Sequence, residues 1–155
     1  KREGKVHRIG IVDCDQHEGN GTDDIIRRLD AHSWVRHFTA GATYHRPEQA
    51  NEFFDELQQV IDGMADCDLV LYQAGADPHI DDPLGGWLTT EQLRDRDAMV
   101  FESVRRMGVP LVWNLAGGYQ RQEDGSIPRV LEIHDNTARE CVRVFGPRGG
   151  LSLAP

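Results

Sequence analysis

Four short apolar runs rich in β-branched residues, Arg8 to Val12, Trp34 to Thr39, Leu69 to Tyr72 and Leu111 to Leu115, limit what this chain can fold into. Each is too short to stand as a helix, and each has the composition of a strand. The segments between them carry helical spacing instead. From Pro47 to Met64, residues Ala50, Phe53, Phe54, Leu57, Val60, Ile61 and Met64 recur at steps of three and four, while Glu48, Glu52, Asp55 and Gln59 take the other side. A second helix is expected over Thr90 to Met107: Thr89 is placed to cap it, Gln92 to complete a capping box, and Gly108 with Pro110 to stop it. A shorter helix is expected after Thr22, whose hydroxyl can cap while Asp23 and Asp24 suit the positive helix N-terminus. A last one is expected near Ile133 to Phe145. Strand and helix in alternation predict an α/β fold, a mostly parallel sheet with helices on both faces and right-handed crossovers.

The length of 155 residues suits one domain over 1–155, and no repeat, low-complexity tract or linker interrupts it. Charged residues make up 28% and hydrophobic ones 39%. No apolar run approaches the roughly 18–20 residues that span a bilayer, so no membrane partner is expected. The formal charge is −9, and the basic residues (Arg27 and Arg28, Arg94 with Arg96, Arg105 and Arg106) are scattered among acids. Direct nucleic-acid binding is therefore not expected. Three widely spaced cysteines, Cys14, Cys67 and Cys141, fit neither a disulfide framework nor a zinc knuckle. With a charged Lys1 to Arg8 and no apolar stretch of a secretory signal after it, a cytoplasmic location is expected.

In a parallel α/β sheet, ligands bind beyond the C-terminal ends of the strands. Three of the four predicted strands run there into polar clusters: Asp13-Cys14-Asp15-Gln16-His17, Gln73-Ala74-Gly75-Ala76-Asp77 and Ala116-Gly117-Gly118-Tyr119. Alternation along an extended segment sends Asp13, Asp15 and His17 to one side, where two carboxylates and an imidazole can surround a cation. Two oxygens and one nitrogen suit zinc or ferrous iron better than calcium. The same stretch equally fits a plain Asp, Asn and Gly turn after a strand. Asp77, leaving another strand at the same edge, tilts the balance towards an open three-ligand site. Tyr119 after its paired glycines is a candidate donor to a carbonyl becoming an oxyanion, although a packed aromatic is the commoner reading of such a loop. His79 reads as a surface loop histidine, His134 as an exposed or capping residue at a helix head, and Cys14 as buried filling. His37 and His45 are assigned no role, while Asp81 and Asp82 are expected to cap backbone amides in a turn.

Three blocks, "IVDCDQHEGNGTDD", "LVLYQAGADPHIDDPLGGWLTTEQLRDRD" and "PLVWNLAGGY" followed by "EIHDNTARECVRVF", together resemble the histone deacetylase family of metal-dependent amidohydrolases in order and spacing. The resemblance runs from about Arg8 to Phe145 and is strongest to bacterial and organellar-type members, in which the family name does not imply a histone substrate. It implies an arginase/deacetylase-like fold and hydrolysis of an N-acetyl or other N-acyl amide, on acetyl-lysine in a peptide or on a small acetylated amine. It implies zinc, with iron as the alternative, held by Asp15, His17 and Asp77. Tyr119 then matches the tyrosine that polarises the acyl carbonyl, on a substrate loop with Gly117 and Gly118. Asp13 and Asn20 match positions that orient two proton-transferring histidines, and the segment Asp13 to His17 matches a structural potassium site. Asn20 stands where many members have Asp, and Glu18 where a second histidine is common.

The family's tandem histidines lie upstream of the first block, and no adjacent His-His pair occurs in these 155 residues. The chain is therefore expected to be the C-terminal portion of a deacetylase-like domain, inactive as it stands, with a natural short relative as the competing explanation. An open apolar sheet edge is expected where upstream strands would sit, which hints at a homo-oligomer. Two other classes compete. A non-catalytic metal-binding or protein-interaction module of the same fold is suggested by the missing histidines. A ureohydrolase would need a two-metal centre, with further aspartates near a His-containing block, and is the less favoured class.

Overall fold

The four apolar runs pair as one parallel sheet in the order β2-β1-β3-β4, with strands β1 (Ile9–Asp13), β2 (Val35–Thr39), β3 (Leu69–Gly75) and β4 (Leu111–Ala116). This is a computed structural model that describes residues 3–147. Residues 1–2 and 148–155 of the expected domain, including the Lys1 end of the charged N-terminal stretch, lie outside the described residues. In register, Val12 stands beside Tyr72 and Phe38, and Ile11 beside Leu71 and His37. Pleating therefore puts the buried Val12, Val70, Tyr72 and Ala74 on one face, and the half-buried Ile11, Leu71, Gln73 and His37 on the other. β3 runs three residues further than the apolar run predicts, because Ala74 and Gly75 pair with Leu115 and Ala116 of β4. Backbone pairing there outweighs the polar Gln73.

The helices are α1 (Asn20–Arg28), α2 (Ala50–Asp62), α3 (Thr90–Met107) and α4 (Pro128–Phe145). Contacts join α2 to α3 and α3 to α4, and their apolar stripes close the first face of the sheet. Ala50, Phe53, Leu57, Ile61 and Met64 are buried as their spacing predicts, with Phe53 wedged edge-on against Trp87 (centroids 4.7 Å) and Tyr44 (5.4 Å). Burying one such ring contributes about 1.5–3 kcal/mol. The α3 capping box forms as expected: Thr89 Oγ1 accepts from the Gln92 N–H (3.2 Å), and the Gln92 side chain accepts from the Thr89 N–H (2.9 Å). Gly108 then ends the helix in the left-handed conformation. α1 lies on the second face, where Asp23 meets Nδ1 of His37 at 2.6 Å.

Three expected boundaries are corrected. α1 begins at Asn20 and not after Thr22; its cap position is Gly19 in the left-handed region, and the Gly19 carbonyl accepts from the Thr22 and Asp23 N–H groups. Thr22 is thus inside the first turn. Pro47–Gln49 forms a separate 3-10 turn before α2. α4 starts five residues earlier than Ile133, at Pro128, whose fixed φ suits a first helical turn.

No helix among the described residues is long and apolar enough to cross a membrane. Val112 and Leu115 of the outer strand β4 are exposed. α3 also carries a buried ion pair within its apolar stripe, Arg96 with Asp97, at positions three and four after the buried Leu93. The Asp97 carboxylate accepts hydrogen bonds from the Tyr72 hydroxyl of β3 and from Thr137 Oγ1 of α4 (2.6 Å). Arg96, read from the sequence as one of several scattered basic residues, is fully buried.

Candidate metal centre

The C-terminal ends of β1 and β3 bring together Asp15, His17 and Asp77, each offering a ligand atom within 4.8 Å of the others. His17 Nδ1 lies 3.1 Å from Asp77 Oδ2 and 3.8 Å from Asp15 Oδ1. The segment after β1 turns through its own carboxylates: the Asp15 N–H donates to Asp13 Oδ1 (3.2 Å) and the His17 N–H to Asp15 Oδ1 (2.7 Å). It therefore is the Asp turn that the sequence allowed, and the turn also gathers ligand atoms; the two readings are compatible. Gln73 Nε2 of β3 donates to Asp13 Oδ1 (3.1 Å) and to Asp15 Oδ2 (2.8 Å), tying the two strand ends together.

Asp77 is fully buried, and its Oδ1 accepts from the Gln16 N–H (3.2 Å). Its Oδ2 is buried with no hydrogen-bond partner among the described residues and faces the His17 ring. A buried carboxylate oxygen left without a donor is costly unless a cation meets it. Burial, followed by the charge of Asp15, raises the Asp77 carboxyl above its ordinary value. Burial and then Asp15 likewise push Asp13 up to about 6. Two carboxyls raised by burial and by the charge of Asp15 mark a site short of positive charge. That shortage, the orphaned oxygen and the Asp/His/Asp donor set fit a divalent cation with three protein ligands and an open position.

Tyr119 sits at the rim, 46% exposed, with its ring edge-on to His17 at 6.1 Å between centroids. Gly117 (φ +57°) passes so close to the site that a Cβ there would lie 2.2 Å from Asp77 Cγ. Its lack of a side chain serves Asp77 directly; Gly118 is packed against Val130 in the same way. Asn20 is not brought to the cluster: it is exposed, and its amide meets Glu18 (3.3 Å).

The histidines differ from their sequence readings. His79 is buried: its Nδ1 accepts from the Asp81 N–H (3.1 Å) and meets Gln120 (2.9 Å), while Nε2 meets Thr90 Oγ1 (2.9 Å). It locks the loop between β3 and α3 and is no surface histidine, and burial holds its imidazole below the ordinary value. His134 lies in the second turn of α4, half-buried beside the Gly117 backbone, and not at an exposed helix head. Cys14 is buried as expected. Asp82 caps the Leu84 N–H (3.0 Å) and also holds the Tyr119 N–H (2.8 Å). Sequence reasoning missed Gln73 and this second bond of Asp82, for which pairing across loops leaves no local pattern. Arg96 was missed as well, although a charged pair at core positions of a helix is a signal that could have found it.

Comparisons with known proteins identify the family and the fold. The histone deacetylase domain family matches residues 31–132, and the chain belongs to that family. It is 26% identical over 148 residues to Histone deacetylase 2 of Arabidopsis thaliana, covering 83% of this chain and 38% of that protein. It is 29% identical over 153 residues to an uncharacterized protein of Picosynechococcus sp., covering 86% of this chain and 50% of that one. Among solved structures, acetylpolyamine aminohydrolase from Burkholderia pseudomallei superposes with a TM-score of 0.65 at 17% identity, over 92% of this chain and 47% of that one. The fold is thus the arginase/deacetylase type, and the chain spans half or less of the length of these relatives.

Proposed function

We propose that the chain is the metal-binding portion of a deacetylase-like hydrolase that cleaves an N-acyl amide, acetyl-lysine in a peptide or a small acetylated amine. The observation that carries this reading is the convergence of Asp15, His17 and Asp77 within 4.8 Å at two neighbouring strand ends, with Asp77 Oδ2 unpartnered. Zinc, or iron, bound by these three would supply Lewis acidity, lowering the pKa of a water towards about 7 and polarising the acyl oxygen. The chain's own residues do the rest. Gln73 fixes the orientation of Asp15, and the Gln16 N–H fixes that of Asp77. Tyr119 offers its phenol at the rim, where an acyl oxygen gathering negative charge can accept a hydrogen bond. Gly117 keeps the tyrosine loop against Asp77 without a side chain in between.

This reading assigns proton transfer to histidines outside the 155 residues, which contain no adjacent His-His pair. Each missing acid-base group lowers the rate by roughly 100- to 10,000-fold, so the chain alone is inactive on this account. The same absence favours the second reading, a non-catalytic metal-binding or interaction module. A structural potassium ion beside the buried Asp13, a cytoplasmic setting and association of copies through the open β4 edge complete the proposal.

Elemental analysis of the parent chain beside Asp15→Ala and Asp77→Ala, prepared identically, tests the ligand set. About one zinc or iron per chain, lost from both variants, is expected. Metal-free parent chain, or variants that keep the metal, would overturn it. Hydrolysis of an acetyl-lysine peptide or an acetylpolyamine by the chain joined to a tandem-histidine segment separates the enzyme from the module.

A further inference from the structure

Pairing of β1 with β3 ends at Asp13 beside Gln73, with one more ladder bond from the Cys14 N–H to the Gln73 carbonyl. The next two carbonyls, of Cys14 and Gly75, lie beyond that ladder. A single nitrogen serves both: Arg96 Nη1 donates to the Cys14 oxygen at 3.0 Å and to the Gly75 oxygen at 2.8 Å. Cys14 immediately precedes Asp15, and Gly75 stands two residues before Asp77. The strand ends are also in van der Waals collision range, since a Cβ on Gly75 would lie 2.5 Å from Asp15 Cα.

We infer that Arg96 is a positioning residue whose Nη1 clamps the Cys14 and Gly75 carbonyls and thereby sets the separation of Asp15 from Asp77. The clamp is itself held. Arg96 Nε donates to Asp97 Oδ1 (2.9 Å), and Nη2 lies 2.8 Å from the same oxygen. Asp97 is in turn fixed by Tyr72 in the sheet and by Thr137 in α4. A planar guanidinium with Nη1 turned to the carbonyls and Nε turned to the carboxylate leaves no free rotation. An ammonium on a lysine stem keeps the charge for Asp97 but loses the two divergent donors in that fixed plane. This role goes beyond the metal-binding proposal but takes its significance from it, since the strand ends matter as carriers of Asp15 and Asp77.

The test uses Arg96→Lys, with Asp97→Asn as the milder variant if the lysine chain does not fold, and Arg94→Lys as an exposed control on the same helix. Amide exchange of Gln16, whose N–H bridges to Asp77, reads the clamp without metal, and exchange of Val70 reads global stability. Cobalt(II) titration reads affinity, and the visible cobalt spectrum reads coordination geometry. Faster Gln16 exchange with Val70 unchanged, cobalt affinity lowered about 10- to 100-fold and an altered spectrum are expected. Arg94→Lys should match the parent. Gln16 exchange that stays at, or moves only with, Val70 would overturn the clamp. A parent that binds no cobalt, while Gln16 exchange still responds to Arg96, would defeat the metal reading and leave the clamp standing.

Discussion

The backbone N–H of Tyr119 donates to Asp82 Oδ2 at 2.8 Å, while the other oxygen of the same carboxylate accepts from Leu84. One buried side chain thus joins the loop after β3 to the loop after β4, and it sets where Tyr119 begins. Asp82→Ala leaves the Tyr119 N–H without its acceptor and should cost about 1–3 kcal/mol of stability in urea unfolding. Exchange of the Tyr119 amide should rise by more than the global loss explains. Protection that merely follows global stability would show that the loop is held by something else.

Asp77→Asn separates stability from function. In the metal-free chain the buried Asp77 carboxylate has one oxygen without a donor, and burial with the nearby Asp15 charge raises its pKa. An amide keeps the acceptor for the Gln16 N–H and removes the charge. The variant should melt higher than the parent in chelator, by about 1 kcal/mol, and should bind no metal. A destabilised, metal-free variant would mean that the charge of Asp77 supports the fold and not only the site.

Gly117→Ala and Gly125→Ala compare two glycines of positive φ. A Cβ at Gly125 (φ +82°) meets nothing within 4 Å, so only the backbone preference opposes it, at about 1 kcal/mol. At Gly117 the added methyl collides with Asp77, and a further loss of about 1–3 kcal/mol is expected, together with weaker metal binding. Equal melting shifts for the two would refute the close approach of the tyrosine loop to Asp77.

The elements were legible where hydrophobic spacing alone decides them. α3 starts and stops where Thr89, Gln92 and Gly108 predict, and the buried stripe of α2 follows its three- and four-residue steps. The convergence of Asp15, His17 and Asp77 was legible because strand ends in a parallel sheet share one edge. What was not legible depends on tertiary pairing. Thr22 looked like a cap, but Gly19 in the left-handed region starts α1 three residues earlier. His79 looked exposed among Asp, Pro and Gly, yet hydrogen bonds from Thr90 and Gln120, 11 and 41 residues away, bury it. Asn20 carries a role only through the family resemblance, and the fold gives it Glu18 as its neighbour.

His134 should make the metal-free chain sensitive to mild acid. Burial, and then the positive charge of Arg96, hold its imidazole below the ordinary 6.5, against the Gly117 backbone and the carboxylates of Asp97 and Asp135. The unfolded chain takes up this proton near pH 6.5 and the folded chain only at lower pH. Its contribution to stability is therefore complete above about pH 6.5 and is lost as pH falls through the folded value. His79 acts in the same direction, whereas Asp13, raised to about 6, acts oppositely: it binds its proton more readily when folded and gains stability as pH falls from about 6 towards 3.8. The measurement is therefore a difference. Urea midpoints in chelator from about pH 7.5 down to about 5.5 should fall less steeply for His134→Gln than for the parent. Parallel curves would place the His134 proton equally in the folded and unfolded chains, and its burial beside Gly117 would then be without consequence for stability.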